Sequence, residues 1–341
     1  MNTCMRRALL VLLPLALLAG GCFRPRPHTP ANVDSYQFCF WNVENLFDDI
    51  DDERNATDDP YDNVFAKNPD LLRKKLTNLG NALLKMNDGR GPDIIALAEV
   101  ESERAAGLLR DYLNQNLGGR GTPYKHVLFK DVRAGRHIAP ALITRLDVDK
   151  DRTRQLEKTR RILETQIVVQ DHPLVILASH WTSRVSDRTG GEGGGRAKYG
   201  DLLYGRFRAM YTSNNAVDLL MCGDFNDDPD DVSVTQHLRA TSEKPGRMPA
   251  VEPKLFNLMA GKDGENFGTH SYKGRWHIFD QIVVSPGLLN EQGWQVLPET
   301  LKVEKEVTAG PNGRPIGFDR VSGRGYSDHF PVTVRLRVAA R

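Results

Sequence analysis

Several short segments carry residues able to hold a cation or move a proton directly beside an apolar run. They are Trp41-Asn42-Val43-Glu44-Asn45, Ala98-Glu99-Val100, Ser179-His180-Trp181, Gly223-Asp224-Phe225-Asn226-Asp227 and Ser327-Asp328-His329-Phe330-Pro331, while His277-Ile278-Phe279-Asp280-Gln281 opens a run instead of closing one. In extended backbone the side chains of residues i and i+2 share a face, so Asn42 with Glu44, and Asp224 with Asn226, are expected to point into one site. Carboxylate and amide oxygens, without a Cys-rich or multi-His ligand pattern, suit Mg²⁺ or Mn²⁺ better than zinc. Such a cation stabilises charge on phosphoryl oxygens and lowers the pKa of bound water. Histidines beside carboxylates donate hydrogen bonds to phosphate or protonate a leaving alkoxide. Taken singly, Asp and Asn at strand ends are turn formers and His180 is a structural histidine. Together in one chain they suit hydrolysis of a phosphate ester.

These residues need strands and helices to hold them. Tyr36–Trp41 is a β-rich run ending at Asn42, and Asp93–Ala98 is short, apolar and stops at Glu99. Further strands are expected at Lys125–Phe129, Ala139–Thr144, Ile162–Val169, Leu174–Ser179, Leu219–Cys222, Ile278–Val284 and Phe330–Val338. Asn68-Pro69 offers an N-cap and a first-turn proline, after which Leu72, Leu76, Leu79 and Leu83 line one helix face. A second helix starts at Ser102, and a third is expected around Ala197–Asn215. Strands alternating with helices, without a repeat or an internal linker, give an α/β fold of stacked sheets with helices outside.

In their order along the chain, WNVENLF (41–47), DIIALAEVE (93–101), SHWTSR (179–184), GDFNDDP (223–229), FDQIVVS (279–285) and SDHFPV (327–332) resemble the endonuclease/exonuclease/phosphatase superfamily, the deoxyribonuclease I-like fold. The resemblance spans about residues 36–338. It implies a four-layer αββα sandwich of two packed mixed β-sheets and a metal-dependent phosphoester hydrolase. By this resemblance Glu99 matches the principal metal-binding glutamate, Asn42 and Asp328 stand nearby in that role, and Glu44 occupies the place of a second acidic contact. Asp224 matches the aspartate that activates or orients the attacking water, and Asn226 the residue that positions phosphate. His180 and His329 match the pair bracketing the phosphate, with Asp280 orienting His329. Members often carry an acid in the strand matched here by His137–Ala141, where this chain has none, so Asp131 is the nearest candidate to orient His180. Members acting at abasic sites tend to have Tyr near position 180, so His180 argues against such an activity.

At the N-terminus, Arg6 and Arg7 precede an apolar run, Ala8–Ala19, that is shorter than the roughly 20 residues needed to cross a bilayer. This reads as a secretory signal. Gly20-Gly21-Cys22 resembles a bacterial lipoprotein box, with Cys22 as the lipidated residue, against ordinary secretion as the plainer reading. Residues 1–21 are thus expected to be a signal peptide, 22–34 a Pro-rich tether and 35–341 a single catalytic domain, exported to the cell envelope and held at the membrane by the lipid. Removal of the signal takes two of the 46 basic residues, which leaves them balanced against 44 acidic ones. A uniformly basic nucleic-acid wrapper and an acidic solvating tail are excluded. Cys39 and Cys222 lie in apolar runs and read as buried free thiols, with a bond between them as the alternative.

The charge is nonetheless uneven. Asp48–Asp62 holds eight acids against Arg54, and Lys150–Arg161 holds six bases against two acids. The acidic stretch suits an additional Ca²⁺ or, more simply, a solvated loop. Arg184, Arg188 and Arg196 surround the run Gly190-Gly191-Glu192-Gly193-Gly194-Gly195 and are expected to contact substrate phosphates from a mobile flap, a disordered insertion being the alternative. Three substrates remain open: nucleic acid, favoured, which makes the protein a DNA or RNA nuclease; a membrane phospholipid, for which no exposed apolar loop is evident; and a sugar or inositol phosphate. A non-catalytic surface module has no reason to keep these polar residues. A monomer without an obligate protein partner is expected.

Overall fold

Strands buried on both faces alternate their side chains between two cores, which is why their sequences read as continuous apolar runs rather than in alternation. In the computed structural model the first strand, β1 (Ser35–Leu46), sends Phe38 and Phe40 to one core and Cys39 and Trp41 to another. The structure describes residues 35–52, 59–132, 136–189, 192–246 and 251–339, which belong to one unit, Asp34–Arg341. The expected signal, tether and lipidation site at Cys22 lie outside the described residues.

Helices α1 (Asp59–Lys67) and α2 (Pro69–Lys85) follow β1. The Asn68 side chain caps α2 by accepting from Leu71 N, as the Asn-Pro pair predicts. Next come β2 (Ile94–Val100), α3 (Glu103–Asn116) capped by Ser102, β3 (His126–Phe129) and β4 (Ala139–Thr144). The second half opens with β5 (Arg154–Gln155), β6 (Ile162–Val169), β7 (His172–His180) and α4 (Gly194–Ser213). It continues through β8 (Leu219–Asp224), β9 (Ala240–Thr241), β10 (Leu255–Asn257), the hairpin β11 (His270–Tyr272) and β12 (Arg275–His277), then β13 (Asp280–Val284), β14 (Trp294–Val303) and β15 (Val332–Val338).

Two mixed sheets result, one ordered β14-β15-β1-β2-β4-β3 and the other β5-β6-β7-β8-β13-β10-β9. One core lies between them, where Phe38, Phe40 and Ala96 meet Ile176, Leu220 and Ile282. A second core lies under Leu79, Leu83, Leu109 and Leu113 of α2 and α3, and a third under Leu203 and Phe207 of α4. The layers are therefore helix, sheet, sheet, helix, the four-layer αββα sandwich. Strands β7 and β8 run parallel with unusually close backbones at Gly223, where a Cβ would collide with the Ser179 carbonyl. Cys39 and Cys222 are buried free thiols.

Two local expectations need correction, and two elements were not foreseen. Strand β1 continues past Asn42 to Leu46, with a register shift against β2 between Asn42 and Leu46. The basic segment after His180 is helical from Gly194, as part of α4, and not a mobile flap over that stretch. Strand β14, which contains Pro298 and shifts register against β15 between Leu297 and Lys302, and the β11–β12 hairpin, whose strands have three residues each, were not among the expected elements.

Candidate active site

The chemistry-bearing residues lie where strands end, because a strand buried on both faces excludes unpaired polar side chains until it emerges. The last residue of β8, Asp224, is paired across β13 with Asp280 and beside β7 with His180. From the other sheet, β1 brings Asn42 and β2 brings Glu99, and the loop before β15 brings Asp328 and His329. The Asn42 amide nitrogen donates to Asp224 Oδ2 at 3.0 Å and to Glu99 Oε1 at 3.4 Å, tying the two sheets together.

The i,i+2 pairs reach the site by a different route from strand alternation. Glu44, Asn45, Glu99 and Asn226 have positive φ, from 50° to 62°, so the backbone leaves the extended region at each of them. Asn42 Oδ1 accepts from Glu44 N at 3.0 Å, and Asp224 Oδ1 from Asn226 N at 2.9 Å. Both are Asx turns, in which a side chain captures the amide two residues on. Four left-handed non-glycine residues in one cluster is strain of the kind that surrounding structure must impose.

One half of the site is acidic. Glu44, Glu99 and Asp328 are near enough to repel one another, and burial together with Asp328 pushes the Glu44 carboxyl up to about 7 while Lys75 opposes the shift. Lys75 is fully buried in α2, donates to the carbonyls of Glu44 and Tyr326, and lies over the Phe318 ring. Burial pushes its amine down to about 8, with Glu44 and Asp328 opposing. Arg136 Nη2 lies 3.7 Å from Glu99 Oε2. Next to Glu44, a cleft of about 150 Å³ is lined by Asn45, Tyr61, Phe65, Phe318 and Arg320. The buried Asn45 Oδ1 has no hydrogen-bond partner among the described residues. An oxygen-rich, self-repelling set with an unsatisfied carbonyl oxygen fits a hard divalent cation.

The other half handles protons. His180 Nε2 lies 3.7 Å from both Glu99 Oε1 and Asp224 Oδ2, and His329 Nε2 lies 3.6 Å from Asp224 Oδ2. His329 Nδ1 is 2.7 Å from Asp280 Oδ2, the orienting contact implied for that pair. The two imidazoles differ. Burial pushes His180 down to about 3, against the pull of Asp224. Against the same burial penalty, Asp280 and Asp224 hold His329 well above the ordinary imidazole value. Burial raises Asp224 too, while His329 and His180 oppose the rise. Asn226 donates to the Trp181 carbonyl at 3.2 Å, which holds its side chain beside Asp224.

The orienting partner suggested for His180 is not found. Among the described residues its buried Nδ1 has no hydrogen-bond partner, so Asp131 does not hold it. The expected phosphate-binding arginines are also redirected. Arg184 bonds the Asn226 carbonyl and pairs with Asp227 and Asp231, and Arg196 pairs with Asp187 and Asp227, so that both reach Asp227 of the GDFNDDP segment. Both guanidiniums brace the segment that follows Asp224, while Arg188 is exposed. The regular spacing of Leu71, Lys75 and Leu79 on α2 would have revealed the buried lysine, since i and i+4 share a helix face. His270 lacked any such signal. It stacks on His329 at 4.5 Å between ring centroids, and its Nδ1 is 2.9 Å from the Asp328 carbonyl.

A two-sheet sandwich with paired imidazoles and a carboxylate cluster at its strand ends defines a phosphoester hydrolase. The model of the endonuclease/exonuclease/phosphatase family matches residues 37–338, and the chain belongs to that family, whose enzymes hydrolyse phosphate esters and are generally dependent on a divalent metal. Among solved structures, the chain is similar to a truncated TDP2 from Caenorhabditis elegans, at 17% identity and a TM-score of 0.53, covering 89% of this chain and 98% of that one. An endonuclease/exonuclease/phosphatase family protein from Bacteroides thetaiotaomicron follows at 15% identity and 0.52, covering 91% and 100%. A mannosyl-6-phosphatase of Bacteroides thetaiotaomicron matches at 15% identity and 0.50, covering 88% and 99%. At such identities the likeness is one of fold. No curated protein sequence matches the chain significantly.

Proposed function

We propose that the protein is a metal-dependent phosphodiesterase of the cell envelope that cleaves nucleic acid, DNA before RNA. The observation that carries the hydrolytic reading is the convergence of His180 and His329 on Asp224, at 3.7 and 3.6 Å, with Glu99 3.7 Å from the same His180 nitrogen. Glu99, Glu44 and Asp328, with Asn42, would hold Mg²⁺ or Mn²⁺, which would supply charge stabilisation at the phosphoryl oxygens. Asp224, held by Asn42 and flanked by both histidines, orients the attacking water and takes its proton. His180 Nε2 and His329 Nε2 bracket the phosphate, and Asp280 fixes the His329 ring. Asn226 donates to a phosphate oxygen. Arg184 and Arg196 keep the Asp224–Asp228 loop in place, and Arg188 stands exposed to meet a flanking phosphate.

The nucleic-acid reading rests on the surroundings of the acidic half. Arg136 and Arg320 lie 5.3 and 4.5 Å from the Tyr61 ring, which also stacks on Phe47, and the two guanidiniums give the acidic half cationic neighbours of the kind that meet the phosphates of a strand. A sugar-phosphate phosphatase is the second reading, favoured by the small cleft beside Glu44 and by the likeness to the mannosyl-6-phosphatase. The lipase reading has no comparable support, since exposed apolar side chains such as Val185, Val251 and Val321 are scattered along the chain.

Purified protein is expected to nick plasmid DNA with Mg²⁺ or Mn²⁺ and to stop with EDTA. Activity untouched by chelator overturns the metal chemistry. Turnover of mannose 6-phosphate or sphingomyelin without DNA cleavage replaces only the substrate. Export and anchoring through Cys22 belong to the same reading, as does a monomeric state. Metabolic fatty-acid labelling that persists in Cys22→Ala would remove the anchor, and light scattering of the purified protein reports its mass.

A further inference from the structure

His270 has no part in the hydrolysis described above, yet it is built into the edge of the site. One ring nitrogen each of His270 and His329 and a carboxylate oxygen of Asp328 lie within 4.8 Å of one another, with His329 Nε2 at 4.0 Å from Asp328 Oδ1. The remaining nitrogens are both engaged, Nδ1 of His329 with the Asp280 carboxylate at 2.7 Å and Nδ1 of His270 with the Asp328 carbonyl at 2.9 Å. Donation from each Nδ1 leaves the lone pair on Nε2 and fixes the ring, which is how metal-ligating histidines are held. The backbone keeps the rings together, since Phe330 N donates to the Thr269 carbonyl at 2.8 Å and the two imidazoles stack.

We propose that His270, His329 and Asp328 form a second cation site that takes a nitrogen-preferring divalent metal such as Zn²⁺, and that its occupancy inhibits hydrolysis. Two imidazoles and one carboxylate suit Zn²⁺, whereas the oxygen set of Glu99 and Glu44 suits Mg²⁺. Three protein ligands leave an open position for water or a phosphate oxygen. The metal takes the Nε2 lone pair of the neutral His329 ring, and where that ring is protonated its Nε2 proton passes to solvent as the metal–nitrogen bond forms. It thereby removes that nitrogen from the phosphate and competes for the Asp328 carboxylate. Zinc binding at this site is independent of which ester is the substrate.

The test is a titration of the metal-free chain with Co²⁺, whose visible ligand-field bands report the coordinating atoms, followed by displacement with Zn²⁺. A single Zn²⁺-displaceable equivalent is expected. His270→Ala and His270→Gln should each weaken it roughly 10- to 100-fold, and Glu99→Gln should leave it within about threefold. Thermal melts of the variants check folding. Unchanged Co²⁺ affinity in a folded His270 variant overturns the proposal, and so does an equal loss in Glu99→Gln, which would put the ion in the oxygen-rich site. On whichever phosphate ester proves to be cleaved, each protein is also compared with its own zinc-free rate. The half-inhibitory Zn²⁺ concentration should rise about tenfold or more in His270→Gln. If no ester is cleaved, the hydrolase reading fails while the Co²⁺ result stands.

Discussion

Two carboxylates bracket β8, Asp224 as its last residue and Asp218 just before its first, and burial raises the pKa of both. Around Asp224 gather an amide from β1, imidazoles from β7 and from the loop before β15, and the amide of Asn226. The Asp218 carboxylate accepts from Trp294 N at 2.8 Å, and its other oxygen is buried without a hydrogen-bond partner among the described residues. It lines a cavity of about 720 Å³ together with His172 and Glu164, far larger than the cleft beside Glu44, but among the described residues no side chain hydrogen-bonds its carboxylate. A perturbed carboxyl in a large cavity is therefore no sign of catalysis by itself. What distinguishes the Asp224 end is the number of elements that aim complementary groups at one point.

Substitutions can test that distinction. The largest effect is expected from Asp224→Asn, with a loss of roughly 10³-fold or more in kcat on the cleaved ester. Mg²⁺ affinity should hold, and the melting temperature should stay level or rise because a buried charge is removed. Glu99→Gln should lose as much activity but with Mg²⁺ affinity reduced, and calorimetric titration separates the two. If both lose Mg²⁺ together, the acidic and proton-handling halves are one unit and the division drawn above is wrong. Asp280→Asn should cost about 10²-fold in kcat while Mg²⁺ binding persists, since the His329 ring loses its fixed partner. Lys75→Met should lower the melting temperature of the metal-free protein by several degrees, about 1–3 kcal/mol, because two carbonyls lose a buried donor. Mg²⁺ should recover more of that loss than it adds to the unsubstituted protein, since the acidic half then lacks its internal cation.

The smallest effect belongs to Asp218→Asn. The folded-state pKa of Asp218, about 7 against an ordinary 3.8, lies above its unfolded value. The protonated carboxyl is thus favoured by folding, and that stability is present below about pH 4 and lost as pH rises through about 7. Denaturant melts should show Asp218→Asn about 1–2 kcal/mol more stable at pH 8, level with the parent near pH 4, and equally active at either end. A loss of activity in Asp218→Asn would show that the two ends are coupled.

Much of the site was legible because each strand changes abruptly from apolar to polar at its end, and the ordered motifs placed Glu99, Asp224, Asp280 and His329 in one family. Lys75 was legible in principle from its helix face but hidden among the charged residues beside it. His270 was not, because a three-residue strand has too little periodicity to show which way its side chains point. Arg184 and Arg196 have partners that the sequence did not indicate. A basic run beside a glycine-rich segment looks like a phosphate contact in one dimension, while in three dimensions the nearest anions are the protein's own aspartates.

Sequence alone determined the alternation of strands and helices, the two-faced burial of the sheets and the identity of most polar residues that emerge from them, since these depend on local periodicity and on the cost of burying an unpaired polar group. Tertiary structure decided which groups meet. It turned the expected strand faces into Asx turns, left His180 Nδ1 without a partner, gave the acidic half a buried lysine and set His270 against His329. Electrostatic interaction depends on distance and on exclusion of water, and both are fixed only when residues far apart in the chain are brought to the same end of the sandwich.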